Sequence, residues 1–366
     1  NTGGIGRVGL KALSWFVVAS LVSLFLGLMF ANLLEPGVGA GLIPPNAEQI
    51  AASKAKLDSF QTGVHDSGFV AFVTNQLIPT SIINAAGGNA LGENKLLQIV
   101  VFSLFFGVAL GSLGKAGQAL QDMIEQLSHV MIKITGYVMV FAPFAVFAAM
   151  ASAVASQGLG ILLTYFKFMG SFYLALTVLW LLLVLVGYIF LHKRIFKLLR
   201  EIKEAFFLSF ATASSEAAYP KILDALDRFG VSRKISSFVM PLGYSFNLDG
   251  SMMYCAFASI FIAQVYGIDM PVGTQIAMLL TLMVTSKGMA GIPSASLVVI
   301  AGRLARCGLP VEGMVLILGV DRFLDMGRSA TDAVGNSIAS AVIGKWEGEL
   351  LSEQDAEIRH AVIKAD

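Results

Sequence analysis

The sequence predicts an all-α polytopic membrane protein built from inverted repeats, each with a re-entrant helical hairpin. Composition is the first reason: 56% of the 366 residues are hydrophobic and only 13% are charged, with a mean hydropathy of +0.76, whereas a soluble domain carries about 25% charge. Length is the second, because runs such as SWFVVASLVSLFLGLMFANLL and FYLALTVLWLLLVLVGYIFL supply the roughly 20 apolar residues that cross a hydrocarbon core. The third is a pair of apolar stretches interrupted midway by Ser, Gly and Pro. Irregular backbone at membrane depth survives only where protein or a watery cavity satisfies it.

In order, the first span covers about 8–34 and stops at Glu35-Pro36-Gly37, where proline and glycine end helix propagation. A polar loop follows to about 66. Residues 68–114 read as broken helical pieces around IPTSIINAAGGNALGEN, the last of which, LLQIVVFSLFFGVALGSLG, can span. Residues 117–154 form a long helix with a polar start, and 160–192 form another. The first hairpin, about 204–229, runs AFFLSFA into TASSEAA, Tyr219-Pro220 and KILDAL. A span with NLDG at its middle occupies about 232–264. The second hairpin, about 276–307, runs IAMLLTLMV into TSKGMAGIPSAS and LVVIAGRL, and a charged span fills 311–346 before a polar tail. Broken hydrophobic segments at corresponding positions of two halves point to a transporter's binding site.

Basic residues set the orientation. Arg7, Lys11, Lys115, the run Lys193, Arg194, Lys197, Arg200 and Lys203, and then Arg228, Arg233, Lys234 and Lys345 alternate to one side. The 35–66 loop has Lys54 and Lys56 against Glu35, Glu48, Asp58 and Asp66. The positive-inside rule puts both chain ends in the cytoplasm and the protein in the plasma (inner) membrane. The opening NTGGIGRVGLK has no signal-peptide pattern and enters a full-length span abruptly, so an N-terminal part is expected to be missing.

Several function classes drop out. Cys255 and Cys307 have no partner spacing for a metal or redox site, and histidines at 65, 129, 192 and 360 assemble neither a metal cluster nor a nucleophilic triad. No enzyme activity and no organic cofactor are expected. A net charge of +1 without a basic, aromatic-interleaved tract gives no footprint for nucleic acid.

The chemistry gathers on DRFLDMGRSATDAVGN, 321–336. Asp321, Asp325, Arg328, Asp332 and Asn336 are spaced four, three, four and four apart, so on a helix they share a strip roughly 80° wide. Ionisable groups inside a membrane are functional by default, and three acids against one base call for a cation or protons. Arg328 suits a bidentate grip on a carboxylate and Asp325 suits an ammonium; the structural alternative is that they neutralise each other. In NLDG, Gly250 loosens the helix beside Asn247 and Asp249, oxygen donors for a hard cation or a proton carrier. Glu216 at the first tip either takes part in a proton step or sits solvated in the mouth, and Lys287 at the second tip contributes its carbonyl or is solvated.

Four motifs carry a resemblance: ASSEAAYP at 213–220, PLGYSFNLDGS at 241–251, TSKGMAGIPSASLVV at 285–299 and GVDRFLDMGRSATDAVGN at 319–336. The chain resembles the dicarboxylate/amino acid:cation symporters, which include bacterial glutamate/aspartate and C4-dicarboxylate carriers and the excitatory amino acid transporters. GRVGLK at 6–11 looks like the start of that family's third spanning helix. The resemblance implies a glutamate-transporter-like elevator fold lacking the first two spanning helices here, and a homotrimer. Its domains would be 1–34 as first transport-domain span, 35–154 as scaffold, and 155–366 as transport domain with the second hairpin as outer gate.

By the same resemblance, Arg328 would bind a substrate side-chain carboxylate and Asp325 its amine. Ser214, Ser215, the Ala213 carbonyl, Ser329 and Asp332 would complete the site under a lid of Met289, Ala290 and Gly291. Cations or protons would use Asp321, Asn247, Asp249, Ser20, Gly243, Asn336, Ser245, Ser286, Lys287 and Glu216, with sodium at Asn247, Asp249, Asp321, Ser245 and Ser286. The sequence departs from sodium-coupled members at Phe16 and Ala19, where they have Tyr and Thr, and at Asn336, where they have Asp; both changes remove oxygen ligands or charge and favour protons there. Asp332 replaces a substrate-facing Asn, and a carboxylate cannot donate unless protonated, so it is a neutral proton-coupling group, a cation ligand, or the mark of a different substrate. The expected function is secondary uptake of glutamate or aspartate with protons or sodium; a C4-dicarboxylate is the alternative, and an ion channel a remote one.

Overall fold

The computed structural model describes residues 2–39, 95–141, 158–286, 295–306, 309–310 and 313–352, with single positions between 142 and 157 and Asp355. The helices are α1 (Thr2–Leu34), α2 (Lys95–Ser112), α3 (Gln118–Met139), α4 (Ile161–Leu191), α5 (Arg194–Thr212), α6 (Tyr219–Phe229), α7 (Arg233–Phe246), α8 (Asp249–Val265), α9 (Val272–Thr285), α10 (Ala295–Arg306) and α11 (Met314–Trp346). The chain divides into two compact units, one of Asn1–Ala40, Leu163–Leu297 and Val320–Asp366, the other of Gly41–Leu162 and Val298–Gly319.

The first unit is organised around α8. Among the described residues three stretches are long and apolar enough to cross a membrane, Gly6–Leu34, Ile161–Leu191 and Arg233–Val265, and the last is 89% buried against 33% for the others. A helix hydrophobic all round belongs in the middle of a bundle. Lipid is as apolar as leucine, so packing in a bilayer depends on close backbone approach. Gly27 of α1 provides it, because a Cβ there would run into the Met253 carbonyl of α8. From the other side Phe168 of α4 stacks on Phe261 at 4.0 Å between ring centres, and Phe172 meets Tyr254 and Phe257 edge-on.

The expected NLDG span is two helices, α7 and α8, parted at Asn247 and Leu248 (φ −145° and −108°). The first hairpin has its break where expected: Ala213 closes α5 in the left-handed region at φ 52°, a turn over Glu216–Ala218 follows, and Pro220 sits in the first turn of α6, where its missing N–H costs nothing. Its first arm, however, starts at Arg194 and not near 204. The basic run looks like a loop by charge, yet Ile195, Leu198, Ile202, Ala205 and Ser209 are buried at spacings of three and four and hold it as an amphipathic helix. The stretch expected to form the second hairpin contains α9 and α10; the tip between them, with Lys287, Met289, Ala290 and Gly291, lies outside the described residues.

The basic end of the unit is fastened to the chain's far end. Arg7 and Lys11 both pair with Glu347 at 2.6 Å, and Trp15, Phe190 and Trp346 form a three-way edge-on cluster. Beyond α11, Ser232 donates to the Glu349 carbonyl at 3.0 Å and Leu351 to that of Gly230 at 2.9 Å. In the second unit α3 shows most of its described side chains on the surface.

Candidate functional site

Arg328 is the centre. Its guanidinium is wholly enclosed, at 0% exposure. Nε donates to Asp325 Oδ1 at 2.7 Å and Nη1 to Asp321 Oδ1 at 2.9 Å, and the group lies 4.2 Å from the centre of the Tyr254 ring. Asp325 also accepts from Ser329 Oγ at 3.3 Å. The strip thus forms as the spacing predicts, with Asp321 turned onto the guanidinium. A buried cation held by two carboxylates and a ring face is fully matched, as the low dielectric demands.

Asp332 does something the sequence reading did not list. Its Oδ1 accepts the backbone N–H of Gly250 at 2.8 Å and of Ser251 at 3.3 Å, and Oδ2 accepts the Ser251 hydroxyl at 2.7 Å. Helix α8 has no side-chain cap of its own, so a carboxylate from α11 takes its first orphan N–H groups, where negative charge complements the helix dipole. The crossing is tight: a Cβ on Gly250 would lie 2.6 Å from the Arg328 carbonyl oxygen, and one on Gly335 would overlap Asp249 Oδ2. Glycine at both positions lets the helices touch.

At the α7–α8 break, Asn247 and Asp249 are buried and face α1. Asn247 Nδ2 donates to Asp249 Oδ2 at 3.0 Å. Ser20 Oγ donates to Asn247 Oδ1 at 3.2 Å and Ser23 Oγ to Asp249 Oδ1 at 3.1 Å. Gly243 accepts the Asn247 N–H and backs onto the Asn336 amide, with Phe16 Cζ 3.2 Å from where a Cβ would stand. Both polar atoms of the Asn336 side chain are buried with no hydrogen-bond partner among the described residues, unusual for a buried amide.

Other residues singled out by sequence are distributed unevenly. Ser214 and Ser215 are buried at the first tip; Ser214 Oγ accepts the Ala217 N–H at 3.3 Å, the Ser215 carbonyl accepts from Tyr244 Oη at 3.0 Å, and Ser215 Oγ has no partner among the described residues. Glu216 opens the turn there, half-buried. Ser286 is buried, its hydroxyl without a partner among the described residues, whereas Ser245 is exposed, and no hydrogen bond among those residues joins the two. The sequence reading missed Ser23, Ser251, Tyr254 and Gly335. Ser23 was findable, lying three residues from Ser20 on one helix face.

A buried ion-pair strip, a broken helix with clustered oxygens and a hairpin tip with an orphan hydroxyl, all within apolar helices, define a membrane transporter. The model of the sodium:dicarboxylate symporter family matches residues 1–346, and the chain belongs to that family. It is a symporter and not an enzyme. A proton/sodium-glutamate symport protein of Geobacillus stearothermophilus is 37% identical over 351 residues, 96% of this chain and 81% of that protein. A proton/glutamate-aspartate symporter of Escherichia coli is 38% identical over 352 residues, 94% and 77% of the two chains. A C4-dicarboxylate transport protein of Laribacter hongkongensis is 36% identical over 359 residues, 97% and 78%.

Proposed function

We propose that the chain takes up an acidic amino acid, glutamate or aspartate, by symport with protons or sodium. The observation that carries this is the Arg328–Asp325 pair, 2.7 Å apart and buried. An incoming side-chain carboxylate replaces the acidic partners on the guanidinium, and the released Asp325 accepts the substrate ammonium. Ser214, Ser215, the Ala213 carbonyl, Ser329 and the Met289–Gly291 backbone complete the pocket. Asp332, committed to the start of α8, forms its floor. Uptake of a C4-dicarboxylate is the second reading, favoured by relatives that bear that name, but it leaves Asp325 without an amine.

Coupling falls to Asn247, Asp249, Ser20 and Asp321, to Gly243 with Asn336, and to Ser286 with Ser245 and the carbonyl of Lys287; Glu216 serves a proton step. Phe16, Ala19 and Asn336 withhold oxygen ligands or charge, which favours protons at their positions. The protein works as a trimer in the inner membrane with both ends of this chain cytoplasmic, and it moves its transport domain, 1–34 with 155–366, as an elevator against the 35–154 scaffold. The inverted-repeat hairpins carry the site.

Reconstituted liposomes test the reading. Radiolabelled aspartate should accumulate under an imposed proton or sodium gradient, and a hundredfold excess of succinate should compete weakly. Strong competition by succinate, with succinate itself accumulated, selects the dicarboxylate reading. No accumulation of either overturns both.

A further inference from the structure

Ser20, Ser209 and Ser251 send their buried hydroxyls across to other elements, while Ser259 bonds back to the carbonyl of Cys255, Thr331 to that of Gly327, Ser337 to that of Ala333 and Ser340 to that of Asn336, each four residues earlier. That is the usual outlet for a mid-helix serine. Ser23, with 1% exposure, turns across to Asp249 Oδ1 at 3.1 Å instead. It also stands at a boundary. A cavity of about 530 Å³ runs between α1 and α4, almost entirely apolar, and Ala19, Ser23 and Asp249 are among its lining residues.

On its inner side Ser23 belongs to a cluster of oxygens. Ser20 Oγ lies 3.2 Å from Asn247 Oδ1 and 3.5 Å from the Phe246 carbonyl oxygen, and Asn247 bridges to the second oxygen of Asp249. Hydroxyl, amide, carboxylate and carbonyl oxygens gathered at a helix break, and linked by hydrogen bonds from Ser20, Ser23 and the Asn247 amide N–H, are the donor set that hard cations select. One carboxylate in the set matches one unit of positive charge.

We infer that Ser23 is a cation-coupling residue, its hydroxyl holding Asp249 toward the oxygen cluster and supplying one oxygen to a bound sodium ion on the side of the apolar cavity. This rests on the cation reading of Asn247 and Asp249. Ala19 has no oxygen to offer there, which by itself favours a proton, but Ser23 brings one from the next turn of α1 and offsets that loss, so that this cluster takes sodium.

The test is the sodium dependence of aspartate uptake by reconstituted protein at fixed pH. Ser23→Ala should raise the half-saturating sodium concentration by tenfold or more, and Ser23→Thr should restore it to within about threefold of the wild type. Ser23→Cys keeps the packing but offers a soft sulfur, so it should also raise the sodium requirement; it carries the test if Ser23→Ala is poorly folded. Unchanged sodium dependence in Ser23→Ala or Ser23→Cys, while Asp249→Asn loses it, overturns the role of Ser23 and leaves the cation reading standing. Sodium indifference of the wild type, or of uptake in Asp249→Asn relative to it, overturns both.

Discussion

The Asp332 carboxylate on α11 accepts the Ser251 hydroxyl at 2.7 Å while taking the Gly250 and Ser251 amides at the start of α8. It is a helix cap supplied from another helix. Asp332→Ala should strip the cap and lower stability by about 1–2 kcal/mol. Asp332→Asn retains an acceptor oxygen and should lose less than half as much. Thermal unfolding of purified protein in detergent checks both, and equal losses would mean that charge, not hydrogen bonding, holds the junction.

Arg328→Ala leaves Asp321 and Asp325 buried without their cation, which should cost about 3–5 kcal/mol and abolish binding of acidic substrates. Adding Asp325→Asn to that variant removes one stranded charge. The double variant should regain part of the stability but none of the binding, read by unfolding and by calorimetric titration with aspartate. A double variant no more stable than Arg328→Ala would mean that Asp325 is not held by the guanidinium.

Gly335 has no room for a side chain, because its Cβ would overlap Asp249 Oδ2. Gly335→Ala should destabilise by about 1–3 kcal/mol through overpacking and should weaken coupling by displacing the carboxylate. The ion concentration for half-maximal uptake should rise, whichever ion drives it. Gly344, whose Cβ would meet the side chains of Val231 at 3.3 Å and Ile235 at 3.9 Å, is the control: Gly344→Ala should leave that concentration unchanged.

Glu347, just past α11, is held below the usual carboxylate range by the Arg7 hydrogen bond first and by Lys11 next. A lowered folded pKa stabilises above the unfolded value, near 4.5, and that contribution disappears as pH falls through the folded value. Wild-type stability should therefore exceed that of Glu347→Gln modestly at pH 7, and the two should converge in acid. Unfolding temperatures between pH 7 and pH 3 give the comparison. A gap that persists at pH 3 would mean that the contact acts through packing and not through charge.

Much of this site is legible in the sequence because ionisable residues in apolar helices have few explanations. The 321–336 strip follows from helical geometry alone, and the first hairpin's break follows from its Ser and Pro residues. The true start of α5 was hidden because charge density near Arg194 outweighs the three-four spacing of Ile195, Leu198 and Ile202. The cap at Asp332 was hidden for a different reason: its partners are backbone amides, which every sequence has everywhere, and only the crossing of α8 over α11 selects Gly250 and Ser251. The Ser23–Asp249 bond joins residues 226 apart, beyond the reach of local pattern.

Gly27 brings α1 against the backbone of Met253 with no side chain between them. Sliding requires a layer that can deform, and here there is none, so α1 and α8 behave as a single plate. Ser20 and Ser23 on one helix therefore stay in register with Asn247 and Asp249 beside the other. Any motion that leaves α1 seated on α8 leaves the two hydroxyls with the amide and the carboxylate, as one piece.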